Sequence, residues 1–379
     1  MKRIKVLSVF GTRPEATKMV PLILEMRENP SIESVLCVTA QHRELLDGVL
    51  EPFGITPDYD LDLMTAGQTL TDITVRVLKD FAPVLEEVKP DILLVHGDTA
   101  TTFAASLAAF YQRISVGHVE AGLRSYDKYR PYPEEVNRKI TTAIADMYFA
   151  PTDISRENLL KENVSDEAIY VTGNTAIDFI KYAASEKRVF SNSALEGVDF
   201  TKRVILMTAH RRENRGQPME NICNAVKRIV ADFPDTFLVW PVHPGKASKE
   251  PAHAILGGME RVLLTEPVDI YDMCNLMSRA ELLLTDSGGL QEEAPVFDLP
   301  TIVLREVTER PEGLTAGTLT LAGVEENSIY NEAVRLLTDR EAYEKMAKAK
   351  NPFGDGNASK RIVEAIIKAT SKNKGDNKC

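Results

Sequence analysis

The feature that most restricts this chain is a rhythm. Short apolar runs rich in β-branched residues alternate with longer amphipathic segments, and the alternation occurs in two series. In the first, Ile4–Phe10, 35–39, Ile92–His96 and 114–118 read as buried strands, with helices at 16–28, 44–50, Leu70–Val88 and Ala100–Tyr111 between them. A helix over 134–145, a strand at Met147–Ala150, a helix over 154–162 and a strand over 168–171 follow. Strands that alternate with helices in this way predict a parallel α/β sheet. Residues 186–201 break the pattern, being polar and aperiodic, and read as an inter-domain connection. The second series has strands at 204–208, 237–240, 262–264, 282–285 and 301–304. A last helix over 358–370 leads into a polar tail, 371–379, expected to fray. The expected architecture is two Rossmann-like α/β domains, 1–185 and 186–379, with the last helix a candidate to pack back on the first. Ligands of such sheets bind beyond the carboxyl ends of the strands, here in a cleft shared by both halves.

Composition narrows the partners. The 379 residues are 44% hydrophobic and 27% charged, the profile of a globular chain with room for two cores. With 45 basic against 56 acidic side chains the formal charge is −11, so no cationic field for nucleic acid exists. An anionic ligand has to be held by a few placed Arg, Lys, His and backbone N–H groups. The four cysteines, Cys37, Cys223, Cys274 and Cys379, form no C-x-x-C pair, which argues against zinc ribbons and thiol redox chemistry. No metal-ligand cluster stands out. No apolar run approaches the roughly 20 residues needed to cross a bilayer. The expectation is a cytoplasmic protein with reduced thiols and no membrane partner.

The strand-end loops carry the chemistry. The first strand ends in Gly11-Thr12-Arg13-Pro14-Glu15-Ala16-Thr17-Lys18. Gly11 permits a tight exit, Pro14 suits a helix's first turn, and Arg13 and Lys18 add charge where helix N–H groups face outward. An ordinary strand–turn–helix corner reads the same way. Neither G-x-G-x-x-G nor G-x-x-x-x-G-K-[ST] is present, so NAD and Mg-ATP lose support. Asp98 follows one strand, Glu120 the next, and Glu134 opens a helix. Singly, Asp98 reads as a helix cap and Glu134 as a complement to a helix dipole. Three carboxylates on one rim read instead as an acid/base set. In the second half, His210-Arg211-Arg212 at a strand's carboxyl end favours phosphate contact, and His243 holds the corresponding end of the next strand. Asp286-Ser287-Gly288-Gly289, between a strand and a helix, lets the backbone approach a diphosphate. Glu292 and Glu293 follow, placed to grip ribose hydroxyls, and Thr308-Glu309-Arg310 adds a cationic loop.

Taken in order, these loops resemble the non-hydrolysing UDP-N-acetylglucosamine 2-epimerases. The matching strings include Phe10-Gly11-Thr12-Arg13-Pro14-Glu15, Thr39-Ala40-Gln41-His42-Arg43, His96-Gly97-Asp98-Thr99, and His118-Val119-Glu120-Ala121-Gly122-Leu123-Arg124. They continue with Pro133-Glu134-Glu135, Thr172-Gly173-Asn174-Thr175, His210-Arg211-Arg212-Glu213, Thr285-Asp286-Ser287-Gly288-Gly289, Thr308-Glu309-Arg310-Pro311-Glu312 and Asn351-Pro352-Phe353-Gly354-Asp355-Gly356. The resemblance implies the glycosyltransferase-B arrangement, a homodimer, and interconversion of UDP-N-acetylglucosamine and UDP-N-acetylmannosamine without a cofactor, supplying units for cell-surface polysaccharide. It implies nucleotide-sugar binding by Arg13, Lys18, His210, Met273, Ser287, Gly288, Gly289, Glu293 and Arg310, with Asp98, Glu120, Glu134 and His210 serving the chemistry. Gln41, His42, Arg211 and His243 resemble a second UDP-N-acetylglucosamine site that couples binding to activity. The chain departs from the family pattern at His243-Pro244-Gly245-Lys246 and at Val268. A glycosyltransferase of the same architecture, a hydrolysing 2-epimerase and a non-catalytic nucleotide-sugar sensor are the rival readings.

The chemistry suits these residue types. The C2 proton of an N-acetylhexosamine is not beside a carbonyl, so it becomes acidic only once UDP begins to leave C1. A carboxylate base, an acid for the opposite face and donors for the departing diphosphate are then required.

Overall fold

The computed structural model describes residues 3–39, 43–63, 67–185 and 189–376. The chain forms two α/β units: Met1–Phe179 with Gly354–Cys379, and Ile180–Phe353. The first is built on seven strands: β1 Ile4–Phe10, β2 Ile32–Val38, β3 Tyr59–Asp60, β4 Ile92–His96, β5 Ser115–Val119, β6 Met147–Ala150 and β7 Ile169–Val171. Every pairing is parallel and the order is β3-β2-β1-β4-β5-β6-β7. The second has β8 Arg203–Thr208, β9 Thr236–Pro241, β10 Val262–Thr265, β11 Ala280–Thr285, β12 Thr301–Val303 and β13 Leu319–Leu321. These are also parallel, in the order β10-β9-β8-β11-β12-β13.

The two sheets share one logic. The chain winds from β1 towards β3 on one side, then returns through β4 and winds the other way. The second unit does the same about β8 and β11. Where winding reverses, the loops leaving adjacent strands diverge and open a crevice at the strands' carboxyl ends. The topology thus singles out the loops after β1 and β4 in one unit, and those after β8 and β11 in the other. Buried apolar strands and covering helices hold each frame rigid: Leu7, Val9, Phe81 and Leu93 are among the core residues of the first unit, and Met207, Ile222, Trp240 and Leu284 among those of the second.

Several elements differ from the sequence expectation for local reasons. Strand β2 begins at Ile32, three residues earlier than expected, because polar Glu33 and Ser34 interrupt the apolar run while still pairing with Lys5 and Val6. The edge strands β3 and β13 are two and three residues long, too short to leave a periodic pattern. The last helix runs Ala358–Asp376, so residues 371–376, expected to fray, are helical. Polar side chains do not break a helix that a buried face has already nucleated.

The sequence seam at 185/186 falls within the second unit of the structure, which begins at Ile180, inside the helix Thr175–Ser185. Ser191 and Asn192, within the aperiodic stretch, donate backbone N–H groups to Asp272 at 2.9 Å each. The chain rejoins the first unit at Gly354. There Asp178 accepts from the N–H groups of Ala358 and Ser359 at 3.1 and 2.8 Å and satisfies the orphan donors of the last helix. Among the described residues no helix is long and apolar enough to cross a membrane, and no group of His, Cys, Asp and Glu is arranged to hold a metal ion.

Candidate active site

In the first unit the crevice lips meet in a charged network. The loop after β1 opens the helix Arg13–Glu28, capped by Thr12 in a capping box with Glu15. Glu15 is buried and accepts from Gly11 N at 3.1 Å, Thr12 N at 2.9 Å and Thr99 Oγ1 at 2.8 Å, tying the β1 loop to the β4 loop. Burial nevertheless holds its carboxyl above the usual range, against those hydrogen bonds. Arg13 is exposed on the first turn, and Lys18, one turn on, ion-pairs with Glu120.

The cap of the helix Ala100–Tyr111 is Thr99, whose Oγ1 accepts from Thr102 N at 3.1 Å. Asp98 is therefore not spent on capping, as one reading of the sequence had it. Its carboxylate ion-pairs with Arg138, and its backbone carbonyl accepts from Asn137 Nδ2 at 2.9 Å. Glu120 follows β5 with a left-handed backbone, φ 61°, a conformation that costs a non-glycine residue roughly 1–3 kcal/mol. Gly97 explains the close approach of the two loops. A Cβ there would lie 3.4 Å from Glu120 Oε2, and φ is +67°.

Arg138 joins these parts. Its Nη2 meets Asp98 and also lies 3.3 Å from Glu120 Oε2, while Nη1 donates to the Glu120 carbonyl. Burial raises the cost of charge on Glu120, yet Lys18 and Arg138 outweigh it and hold the carboxyl well below the ordinary range. His96 Nε2 is 4.0 Å from Glu120 Oε1, and neither ring nitrogen has a hydrogen-bond partner among the described residues. Burial, with Lys18 and Arg138 nearby, pushes its pKa down to about 4 against the pull of Glu120. His118 Nε2 lies 2.8 Å from the Gly97 carbonyl, and burial and Arg138 push it down to about 3. Both rings are neutral at pH 7.

The two glutamates after Pro133 divide their roles. Glu135 accepts from Ser125 N at 2.9 Å and Tyr126 N at 3.2 Å, pinning the preceding loop. Glu134 opens the helix Glu134–Ile144 one turn before Arg138, and its Oε2 has no hydrogen-bond partner among the described residues. Lys18, Asp98 and Glu120 are thus brought together, with Glu134 on the helix that carries Arg138, the shared partner of the two carboxylates.

The second unit builds its lips around Asp286, at the end of β11 and fully buried. Its Oδ2 accepts from His210 N and Arg211 N at 2.8 Å each, and from Asn214 Nδ2 at 3.0 Å. Oδ1 lies 3.3 Å from His210 Nδ1. That approach is not a hydrogen bond, since Oδ1 has no hydrogen-bond partner among the described residues; Asp286 holds the His210 backbone and sets its charge beside the ring. His243 stacks on His210 with centroids 5.7 Å apart and planes 15° from parallel.

Ser287 occupies the N-cap position of the short helix Gly288–Glu293 without a side-chain capping hydrogen bond, and the helix's first N–H groups have no intrahelical acceptor. A Cβ at Gly288 would sit 3.5 Å from Arg211 Nη2 and 3.7 Å from Arg310 Nη2, so two guanidiniums border that backbone. At Gly289 the nearest group would be Glu293 Oε1 at 3.4 Å. Arg310 is oriented by an ion pair with Glu292, which is how that glutamate is used here. Gln291 donates to the Ser287 carbonyl at 3.1 Å and accepts from Thr308 Oγ1 at 2.5 Å, linking the two loops. Met273 is half-buried in the helix Ile270–Met277, with its N–H on Asp269 O at 3.0 Å.

His210, Arg211, His243, Gly288 and Arg310 therefore share one neighbourhood, so Arg211 and His243, expected at a second nucleotide-sugar site, stand beside residues expected to bind the substrate. Gln41 and His42, its other members, lie outside the described residues. Sequence reasoning gave no role to Arg138, His96 or Asp286. Arg138 stands four residues after Glu134, a same-face helical spacing that sets it beside a candidate acid but does not reveal its partners.

Comparison with known proteins gives a consistent result. A family model described as UDP-N-acetylglucosamine 2-epimerase matches residues 24–367. The Bacillus subtilis UDP-N-acetylglucosamine 2-epimerase is 53% identical over 367 residues, covering 97% of this chain and 96% of its own. The Neisseria meningitidis UDP-GlcNAc 2-epimerase, solved bound to UDP-GlcNAc, is 46% identical with a TM-score of 0.83, over 96% of this chain and 100% of that one. The Methanocaldococcus jannaschii enzyme, solved with UDP-GlcNAc and UDP, is 32% identical with a TM-score of 0.72, over 96% and 99%.

Proposed function

The chain belongs to the UDP-N-acetylglucosamine 2-epimerase family and is an enzyme acting on a UDP-sugar, and from that premise we propose that it runs the non-hydrolysing reaction by eliminating UDP and adding it back. The C1–O bond breaks with its electron pair going to the β-phosphate of UDP. Oxocarbenium character at C1 acidifies C2–H, a carboxylate takes that proton, and a C1–C2 double bond forms. The product pair is 2-acetamidoglucal and UDP. Protonation of C2 from the opposite face, with return of the phosphate oxygen to C1, gives the epimer.

The observation that carries this reading is that Asp98 and Glu120 meet on Arg138, in the helix that Glu134 opens, in a chain that lacks a dinucleotide fingerprint. Asp98, Glu120 and Glu134 serve proton transfer at C2. Arg13, Lys18, Ser287, Gly288, Gly289 and Arg310 hold the nucleotide sugar, and His210, whose backbone N–H Asp286 holds, meets the departing diphosphate. Met273 and Glu293 serve the nucleoside. Each preorganised donor aimed at developing negative charge lowers the barrier by roughly 3 kcal/mol.

Three wider readings accompany this one. The enzyme works as a homodimer, in keeping with exposed apolar residues such as Val75 and Phe110 on the first unit's helices. A second UDP-N-acetylglucosamine, at Gln41, His42, Arg211 and His243, raises turnover. The setting is cytoplasmic, in keeping with the free, buried thiols of Cys37, Cys223 and Cys274.

The deciding experiment is proton NMR of UDP-N-acetylglucosamine alone with enzyme in heavy water. Deuterium enters C2 without an acceptor, and Asp98→Asn loses that exchange while still binding UDP. No exchange would leave the transferase or sensor readings, and release of free N-acetylmannosamine would identify the hydrolysing enzyme.

A further inference from the structure

Asp98 and Glu120 come from different strands, yet both meet the same guanidinium nitrogen, Arg138 Nη2. The other terminal nitrogen holds the Glu120 backbone at its left-handed turn. The neighbouring residue, Asn137, holds the backbone of Asp98. One helix turn therefore sets the position of both carboxylates, and it belongs to the helix that Glu134 opens. Arg138 as a whole is 4% exposed, so its charge is little screened by water.

Resting on the reading that these carboxylates act at the sugar, we propose that Arg138 is a positioning residue that holds Asp98 and Glu120 together as anions on one side of the reacting carbon. Two carboxylates this close, without the cation, would share a proton, because like charges raise one another's pKa. The groups facing Glu120 are Lys18 from the helix Arg13–Glu28, His96 from β4, and Arg138 from the helix Glu134–Ile144. Arg138 faces Asp98, Glu120 and His118. Both histidines are held neutral by burial, so Lys18 alone would remain to offset the pair. Burial also works against the charge on Arg138, but the two carboxylates more than compensate and keep it protonated. A lysine supplies the charge without the fork that reaches two partners.

The test is the pH profile of C2 exchange for Arg138→Met and Arg138→Lys beside the wild-type enzyme. In Arg138→Met, kcat falls on the order of 100-fold, with KM changed by less than about threefold. Its acid limb moves up by about one pH unit or more, as a protonated Asp98–Glu120 pair would require. Arg138→Lys recovers roughly tenfold of the lost kcat and moves the limb only part of the way back, because lysine restores the charge without the fork. A folded Arg138→Met enzyme with an unmoved acid limb overturns the proposal, whatever its kcat. Should Arg138→Met not fold, Arg138→Lys decides alone, and a wild-type profile in it overturns the proposal. Absence of exchange in the wild-type enzyme would instead sink the epimerase reading, a separate result.

Discussion

Burial and a cationic neighbourhood act together on the groups around Glu120. His96 and His118 titrate at about 4 and about 3 in the folded chain, against an ordinary value of 6.5. Between pH 6.5 and those values the unfolded chain binds more protons, so folding weakens as acid is added. Each ring removes about 1.4 kcal/mol per pH unit through that window. Glu120, held low, adds to the loss further down, while Glu15, held high, opposes it near the carboxylate range. Thermal unfolding between pH 7 and pH 5 should show a falling midpoint, and a flat one would contradict the buried neutral histidines. At this scale Asp98, Glu120 and His210 were legible because strand-end loops expose chemistry-bearing residues in a recognisable order. Arg138 and Asp286 were not, since each works by contacting a residue distant in sequence: Arg138 reads as a solvent-facing helical arginine until β4 and β5 are brought beside it.

Elements explain why glycine is needed at some turns and useful at others. At Gly122, φ is +89° and a Cβ would lie 2.2 Å from the Ser155 carbonyl oxygen, which is backbone and cannot yield. Gly122→Ala should destabilise the first unit by about 3 kcal/mol or more and lower the yield of folded enzyme. At Gly288 the nearest groups would be at ordinary contact distance, so the fold tolerates a methyl group there. The methyl would occupy the backbone face offered to the diphosphate, so Gly288→Ala should keep its melting temperature yet lose about tenfold in UDP affinity, roughly 1.4 kcal/mol. Calorimetric titration beside a melting curve separates the two, and unchanged affinity would remove Gly288 from the phosphate site. Long strands and helices were legible from apolar periodicity. Strands β3 and β13 were not, because Tyr59-Asp60 and Leu319-Thr320-Leu321 offer no run of β-branched apolar residues, and the last helix outran its apolar face.

At the scale of the whole molecule, two sheets whose strand orders agree over six strands, the first carrying a seventh at its edge, each place their polar clusters at the point where winding reverses. The alternation of strands and helices made that architecture legible. The return of the chain to the first unit at Gly354 depends on Asp178 capping a helix 180 residues away, a contact no local pattern announces. The central claim is that the bond from C1 to the phosphate oxygen opens and re-forms. Positional isotope exchange reads it directly, with oxygen-18 placed in the bridge between C1 and the β-phosphorus. The account predicts that the label spreads to the non-bridging oxygens of the β-phosphate during epimerisation, whereas a label that stays in the bridge while C2 inverts would contradict it.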